Sequence, residues 1–156
     1  MEQPFNAETL YQNWSELDPG SKAKIRRATR PDDLMDIPAF YLLVAPSGWP
    51  QHRYALLRMA FCLSAGKIRL SEDKQQSIGR AFAEKGISQP RIFQVIRADY
   101  PNDMVQLRRL IIHAEPEVYW PAFARQLYGW YQSDRRKLLE DFVLTTANKP
   151  SRKDAK

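Results

Sequence analysis

The sequence predicts an all-α protein: a compact bundle of about eight or nine short helices in two small lobes. Three observations predict it. Apolar residues recur at spacings of three and four along most of the chain. No stretch alternates apolar and polar residues long enough to read as a strand. Proline, glycine and short polar cap residues punctuate the periodic stretches at the intervals short helices require.

Taken in order, the stretch from Phe5 to Leu17 carries Leu10, Trp14 and Leu17 on one face, with Asn6 as its N-cap. Asp18-Pro19-Gly20 breaks it, and Ser21 caps a second helix through about Ala28. Pro31-Asp32-Asp33 reads as a turn or a single helical turn. Pro38 suits the first turn of a helix that continues over Ala39 to Val44, and Pro46 to Pro50 is a loop. From about Arg53 to Ala65, apolar residues cover most of the circumference, so this helix is expected to be buried on several sides. Gly66 ends it. Lys67 to Gln76 is polar and reads as a loop. Shorter helices follow: about Gln75 to Glu84; one after Ser88 with Ile92, Phe93, Val95 and Ile96; one capped by Asn102 or Asp103 and ended by Pro116; one begun by Pro121; and a last one capped by Ser133 or Asp134. The expected organisation is an N-terminal lobe over 1–66, a linker over 67–76, a C-terminal lobe over 77–148 and a disordered basic tail over 149–156.

The single cysteine, Cys62, excludes an internal disulfide and a cysteine-rich metal site, and suits a reducing cytoplasm. The acidic, polar N-terminus is no signal peptide, and no apolar run approaches the ~20 residues that span a bilayer. A cytoplasmic protein without membrane contact is expected.

Known catalytic patterns are incomplete. His52 and His113 lack metal-ligand spacing. His113-Ala114-Glu115 has the H-x-E of zinc deaminases without their paired cysteines. Gly66-Lys67 lacks the rest of a phosphate loop, since Phe61 stands at the first glycine position and Ile68 follows the lysine. Asp32, Asp33 and Asp36 suit helix starts better than a nuclease metal site. The reading is therefore non-enzymatic, with no cofactor and no metal.

Basic residues carry the functional signal. The net charge is +6, but KPSRKDAK at the end contributes +3, so local clusters count for more than the total. Five basic residues and no acid lie between Pro19 and Arg30, with Lys22, Arg26 and Arg30 spaced by four. Like charges at that spacing disfavour a helix unless they meet an anion. Arg108 falls inside the apolar arc of its helix, where it needs a buried carboxylate or a bound anion as partner. Arg109 and Arg97 lie at the edges of such arcs. Arg91, Arg135 and Arg136 occupy first helical turns, where cations oppose the dipole and a phosphate would reverse the penalty. Arginine outnumbers lysine ahead of the tail, as bidentate phosphate contact favours. Trp49, in a loop, is the aromatic best placed by sequence to stack on an unpaired base.

The strings IPAFY (Ile37 to Tyr41), ALLRMAFCLSAGK (Ala55 to Lys67), RIFQVIRAD (Arg91 to Asp99), DMVQLRRLIIHAEP (Asp103 to Pro116) and LLEDFVLT (Leu138 to Thr145) resemble the CasB family, small subunits of the type I-E CRISPR surveillance complex Cascade. The resemblance covers nearly the whole chain in order. It implies a helical, non-enzymatic, two-lobed subunit that pairs head to tail with a second copy and joins the large and backbone subunits. Such a subunit helps hold crRNA and target DNA and stabilises the R-loop, including the displaced non-target strand, in antiviral defence. Sequence is read by the guide, so backbone contact suffices here. Within the matching motifs the implied phosphate contacts are Arg26, Arg27, Lys67, Arg91, Arg97, Arg108 and Arg109. The candidate set adds Arg53, together with Arg135 and Arg136 from residues 132–137, a segment that departs from the family pattern. The competing expectation is a purely structural spacer whose arginines meet other proteins.

Overall fold

The computed structural model describes residues 5–148. The terminal basic tail at 149–156 lies outside the described residues. The described residues form nine α-helices: α1 (Ala7–Glu16), α2 (Pro19–Arg26), α3 (Pro38–Val44), α4 (Arg53–Leu63), α5 (Ile78–Glu84), α6 (Gln89–Ile96), α7 (Asn102–Ala114), α8 (Trp120–Gly129) and α9 (Gln132–Asn148). Two short 3-10 helices, Pro31–Asp36 and Ala45–Ser47, flank α3. The all-α expectation holds.

Local chemistry sets most helix ends. Asn6 caps α1 by accepting hydrogen bonds from the amides of Glu8 (3.0 Å) and Thr9 (3.1 Å). The second helix starts three residues earlier than expected, because Asp18 and not Ser21 is the cap: its carboxylate accepts from the Ser21 amide (3.0 Å) and hydroxyl (2.7 Å). Proline in the first turn of α2 needs no amide partner there. Gly66, at φ +71°, ends the turn after α4 in the left-handed region that glycine enters without strain.

α4 is the central element. Eight of its eleven residues, from Ala55 to Leu63, are buried, which is why its apolar residues cover so much of its circumference. It packs against α3, α7, α8 and the 3-10 helix at Pro31–Asp36. One continuous core runs from Leu10 of α1 to Phe142 of α9. α8 closes back onto α1, where the Trp120 indole N–H donates to the Ala7 carbonyl (2.7 Å).

The linker expected over 67–76 contains one element that the sequence did not announce. Arg69–Leu70 (β1) pairs in parallel with Glu117–Val118 (β2), in the register Arg69↔Glu117 and Leu70↔Val118. The Ser71 amide donates to the Val118 carbonyl (2.9 Å), and the Tyr119 amide donates to that of Gln76 (2.8 Å). Two residues per strand are too few to show alternation, so this pairing is set by tertiary context.

α5 lies unusually close to α9. A Cβ on Gly79 would stand 2.4 Å from the Leu138 carbonyl oxygen and 2.9 Å from the Asp141 Cβ, neither of which is a flexible tip. Gly79→Ala is therefore expected to force the two helices apart. A loss of roughly 1–3 kcal/mol follows, read as a lowered urea midpoint. An unchanged midpoint would mean that the α5–α9 contact is looser than this geometry.

Candidate nucleic-acid interface

A cationic face is built where three helix segments meet. The C-terminal turn of α2 carries Arg26 and Arg27, the end of α4 leads into Gly66 and Lys67, and α7 carries Arg108 and Arg109. Arg108 joins them. Its Nε donates to the Phe61 carbonyl (3.0 Å), Nη1 to that of Ala28 (3.4 Å), and Nη2 to that of Arg26 (3.0 Å) and to the Ser64 hydroxyl (3.4 Å). Its guanidinium also lies 4.8 Å from the centre of the Phe61 ring.

The sequence expectation for Arg108 is a buried carboxylate or a bound anion; the protein partners it has are of another kind. Its main-chain partners are carbonyls at or just past the ends of two helices, where helical amides no longer supply donors and the negative end of the helix dipole lies; the Phe61 carbonyl also accepts from the Ser64 hydroxyl (2.9 Å). Burial lowers the Arg108 pKa from its ordinary value, with neighbouring Arg26 adding to the effect.

Arg26 itself is exposed, and its guanidinium covers Gly66: a Cβ there would lie 3.0 Å from its Nη2. Arg27, Lys67 and Arg109 are exposed as well, the first two beside the ends of α2 and α4 and the last in the middle of α7. The Tyr100 hydroxyl donates to Asp32 (2.6 Å), which ties the α6–α7 turn to the same corner. Arg97, at the end of α6, stacks 4.2 Å from the Phe93 ring, and half-buried Arg91 lies in the first turn of α6.

Arg53 and the α9 cations are placed elsewhere. Arg53 opens α4, 5.5 Å from the Trp49 ring. Arg135 is ion-paired to buried Asp103 (3.1 Å). Asp103 is thus not the expected helix cap: Pro101 takes that position, and the carboxylate turns inward to accept also from the Trp130 indole (3.0 Å) and the Met104 amide (2.7 Å). Arg136 is exposed, while Lys137 pairs with Asp141 (2.9 Å). Among the described residues, Arg26, Arg27, Arg53, Lys67, Arg91, Arg97, Arg109 and Arg136 have no carboxylate within ion-pair distance.

Trp49 is also reassigned. It is half-buried, edge-on to Phe40 (5.2 Å) and Tyr41 (5.6 Å), and belongs to the packing around α3. The sequence reading passed over Arg58, whose place among apolar neighbours in α4 was the same signal as that of Arg108. Arg58 donates through Nε to the Leu127 carbonyl (2.6 Å) and through Nη2 to that of Tyr128, closing the end of α8.

Two of the acids considered for a metal, Asp32 and Asp33, have other partners. Asp33 accepts from the Thr29 hydroxyl (2.9 Å) and from the amides of Thr29 and Arg30, contacts that lower its pKa, the hydroxyl most. No group of three or more potential metal ligands comes together among the described residues. Burial pushes the Cys62 thiol up to about 12, far from the thiolate a nucleophile needs. Among the described residues, no helix is long and apolar enough to cross a membrane.

The fold and the site together define a small helical protein with a distributed cationic surface. A family model described as CRISPR-associated protein Cse2 matches residues 21–142, and the chain belongs to that family. It is 56% identical, over 156 residues, to the CRISPR system Cascade subunit CasB of Escherichia coli (strain K12), covering 94% of this chain and 98% of that relative. Its structure matches a chain in a crystal structure of E. coli Cascade bound to a PAM-containing dsDNA target. The TM-score is 0.91 at 55% identity, covering 94% of this chain and 100% of the other. CasB structures from M. ruber (TM-score 0.70, 16% identity, 92% and 96% covered) and Thermus thermophilus (0.66, 15%, 90% and 99%) share the fold.

Proposed function

We propose that this chain is a non-catalytic, nucleic-acid-binding subunit of a type I-E CRISPR Cascade. In that role it helps hold crRNA and target DNA and stabilises the R-loop, including the displaced strand. It works beside the large and backbone subunits and a second copy of itself arranged head to tail. Residues 1–66 and 77–148 serve as two lobes over a shared core. The observation that carries the reading is that, among the described residues, eight of the ten candidate cations have neither a carboxylate partner nor a main-chain carbonyl partner, on a chain 56% identical to a Cascade subunit. Exposed arginines of this kind grip phosphates without reading bases, which is enough where a guide RNA reads sequence. Arg108 and Arg135 enter as residues that position their neighbours, since protein groups already engage their guanidinium groups.

Anisotropy of labelled single and double strands against full-length protein tests this. Affinity is expected to fall with salt at a log–log slope of about 0.7–0.9 per phosphate contacted. The triple variant R26A/R27A/R109A is expected to flatten that slope by about two to three. No binding to any nucleic acid at about 50 mM salt would sink the backbone grip for the free subunit. If the triple variant instead fails to assemble into the complex, the arginines serve protein contacts and the chain is a spacer.

A further inference from the structure

We propose that the cleft between the first turn of α4 and the α8–α9 corner seats one unpaired nucleobase, stacked on Tyr54 and Tyr131, with Arg53 on the adjoining phosphate. The inference rests on the nucleic-acid reading above and adds a base contact to a backbone grip.

Tyr54 and Tyr131 are 68% and 71% exposed, yet both line the same cleft of about 340 Å³. That volume lies within the ~300–1,000 Å³ typical of small-ligand sites. Tyr131 is held ready rather than free to swing. A Cβ on Gly129 would come within 2.2 Å of its ring, so the ring rests on the one backbone position that leaves room for it. The Tyr131 amide is fixed by the Asp134 carboxylate (2.8 Å). Tyr128 forms part of the rim, with its hydroxyl 2.8 Å from His52 Nδ1.

The charge of the cleft selects the ligand. Arg53 and Arg58 line it and, among the described residues, no carboxylate does, whereas four other surface clefts each include at least one Asp or Glu. Its aliphatic lining is only Pro50 and Ala55, too little to favour an apolar peptide. A bare anion would need the arginines but not two exposed rings. Rings beside cations suit a base with its phosphate, because stacking accepts any base and the guanidinium holds the backbone.

The test compares full-length protein binding to fluorescein-labelled oligo-dT and to an abasic deoxyribose-phosphate oligomer of equal length, at low salt. Wild type is expected to prefer oligo-dT on the order of tenfold. Y54A/Y131A is expected to lose that preference while binding the abasic oligomer as wild type does. Y54F/Y131F, which keeps both rings, is expected to retain the preference. Equal wild-type affinity for the two oligomers overturns the base seat alone, and binding to neither overturns it together with the backbone grip. A preference that survives in Y54A/Y131A also overturns the seat, and places the two tyrosines in a contact with protein if that variant fails to join the complex.

Discussion

Asp103→Ala is expected to lower the stability of the isolated chain by about 3–5 kcal/mol, the range for removing one member of a buried ion pair. Asp103 is 1% exposed, and the Arg135 side chain that it pairs with is 28% exposed. Removing the carboxylate leaves the guanidinium without its counter-ion and the Trp130 indole N–H without an acceptor. Trp130 makes the loss worse. It ends α8 with φ +48°, a left-handed conformation that disfavours a side-chain-bearing residue by roughly 1–2 kcal/mol. The indole bond to Asp103 is part of what holds it there. Asp103→Asn keeps an acceptor for the indole and loses only the charge, so it is expected to recover part of the deficit. Replacing both partners with apolar residues, as in D103L/R135M, is expected to be less harmful than the sum of the single changes, since no buried charge is left unpaired. Urea unfolding of D103A, D103N, D103L, R135M and D103L/R135M measures each term. An Asp103→Ala midpoint equal to wild type would show that water reaches this carboxylate and that the pair contributes little.

What could be read from the sequence was what neighbouring residues decide. The α1 cap at Asn6, the stop at Gly66 and the buried circumference of α4 follow from interactions within one helix or one turn. Asp103 looked like a cap for the same reason, as a short acid ahead of an apolar run. It turns inward because Trp130 and Arg135, about thirty positions away in sequence, supply donors. The β1–β2 pairing was hidden likewise: a two-residue strand has no pattern of its own. In the candidate interface, periodicity correctly marked Arg108 as an arginine inside an apolar arc, but nothing local names carbonyls of residues 26, 28 and 61 as its partners. Tyr54 and Tyr131 carried no signal at all. Their shared cleft exists only once α8 is docked on α4, a contact that Arg58 fastens from within.

Arg108→Ala and Arg109→Ala are expected to fail in opposite ways, although the two residues are adjacent and were marked by the same reasoning. Arg108 donates to three carbonyls and a hydroxyl contributed by α4, its C-terminal turn and the end of α2. Truncating it strips a donor from each of these acceptors, of which the Phe61 carbonyl keeps the Ser64 hydroxyl (2.9 Å), and removes packing on Phe61; a buried acceptor left unsatisfied costs roughly 1–3 kcal/mol. A loss of about 2–4 kcal/mol is expected, a large fraction of the total for a domain of this size. Arg108→Lys is not a rescue, because an ammonium cannot reproduce the planar fork that spans both helix ends. Arg109 is exposed and has no carboxylate partner among the described residues, so Arg109→Ala is expected to leave stability within about 0.5 kcal/mol of wild type. Its effect is expected in nucleic-acid binding instead, as a log–log salt slope shallower by about 0.7–0.9. Thermal melts and salt titrations on the same two variants separate the roles. If Arg108→Ala melts like wild type and binds less, its carbonyl contacts are dispensable and the residue is a phosphate contact after all. If Arg109→Ala melts early, the cationic face on α7 holds the fold together, and the grip must be sought on Arg26, Arg27 and Lys67.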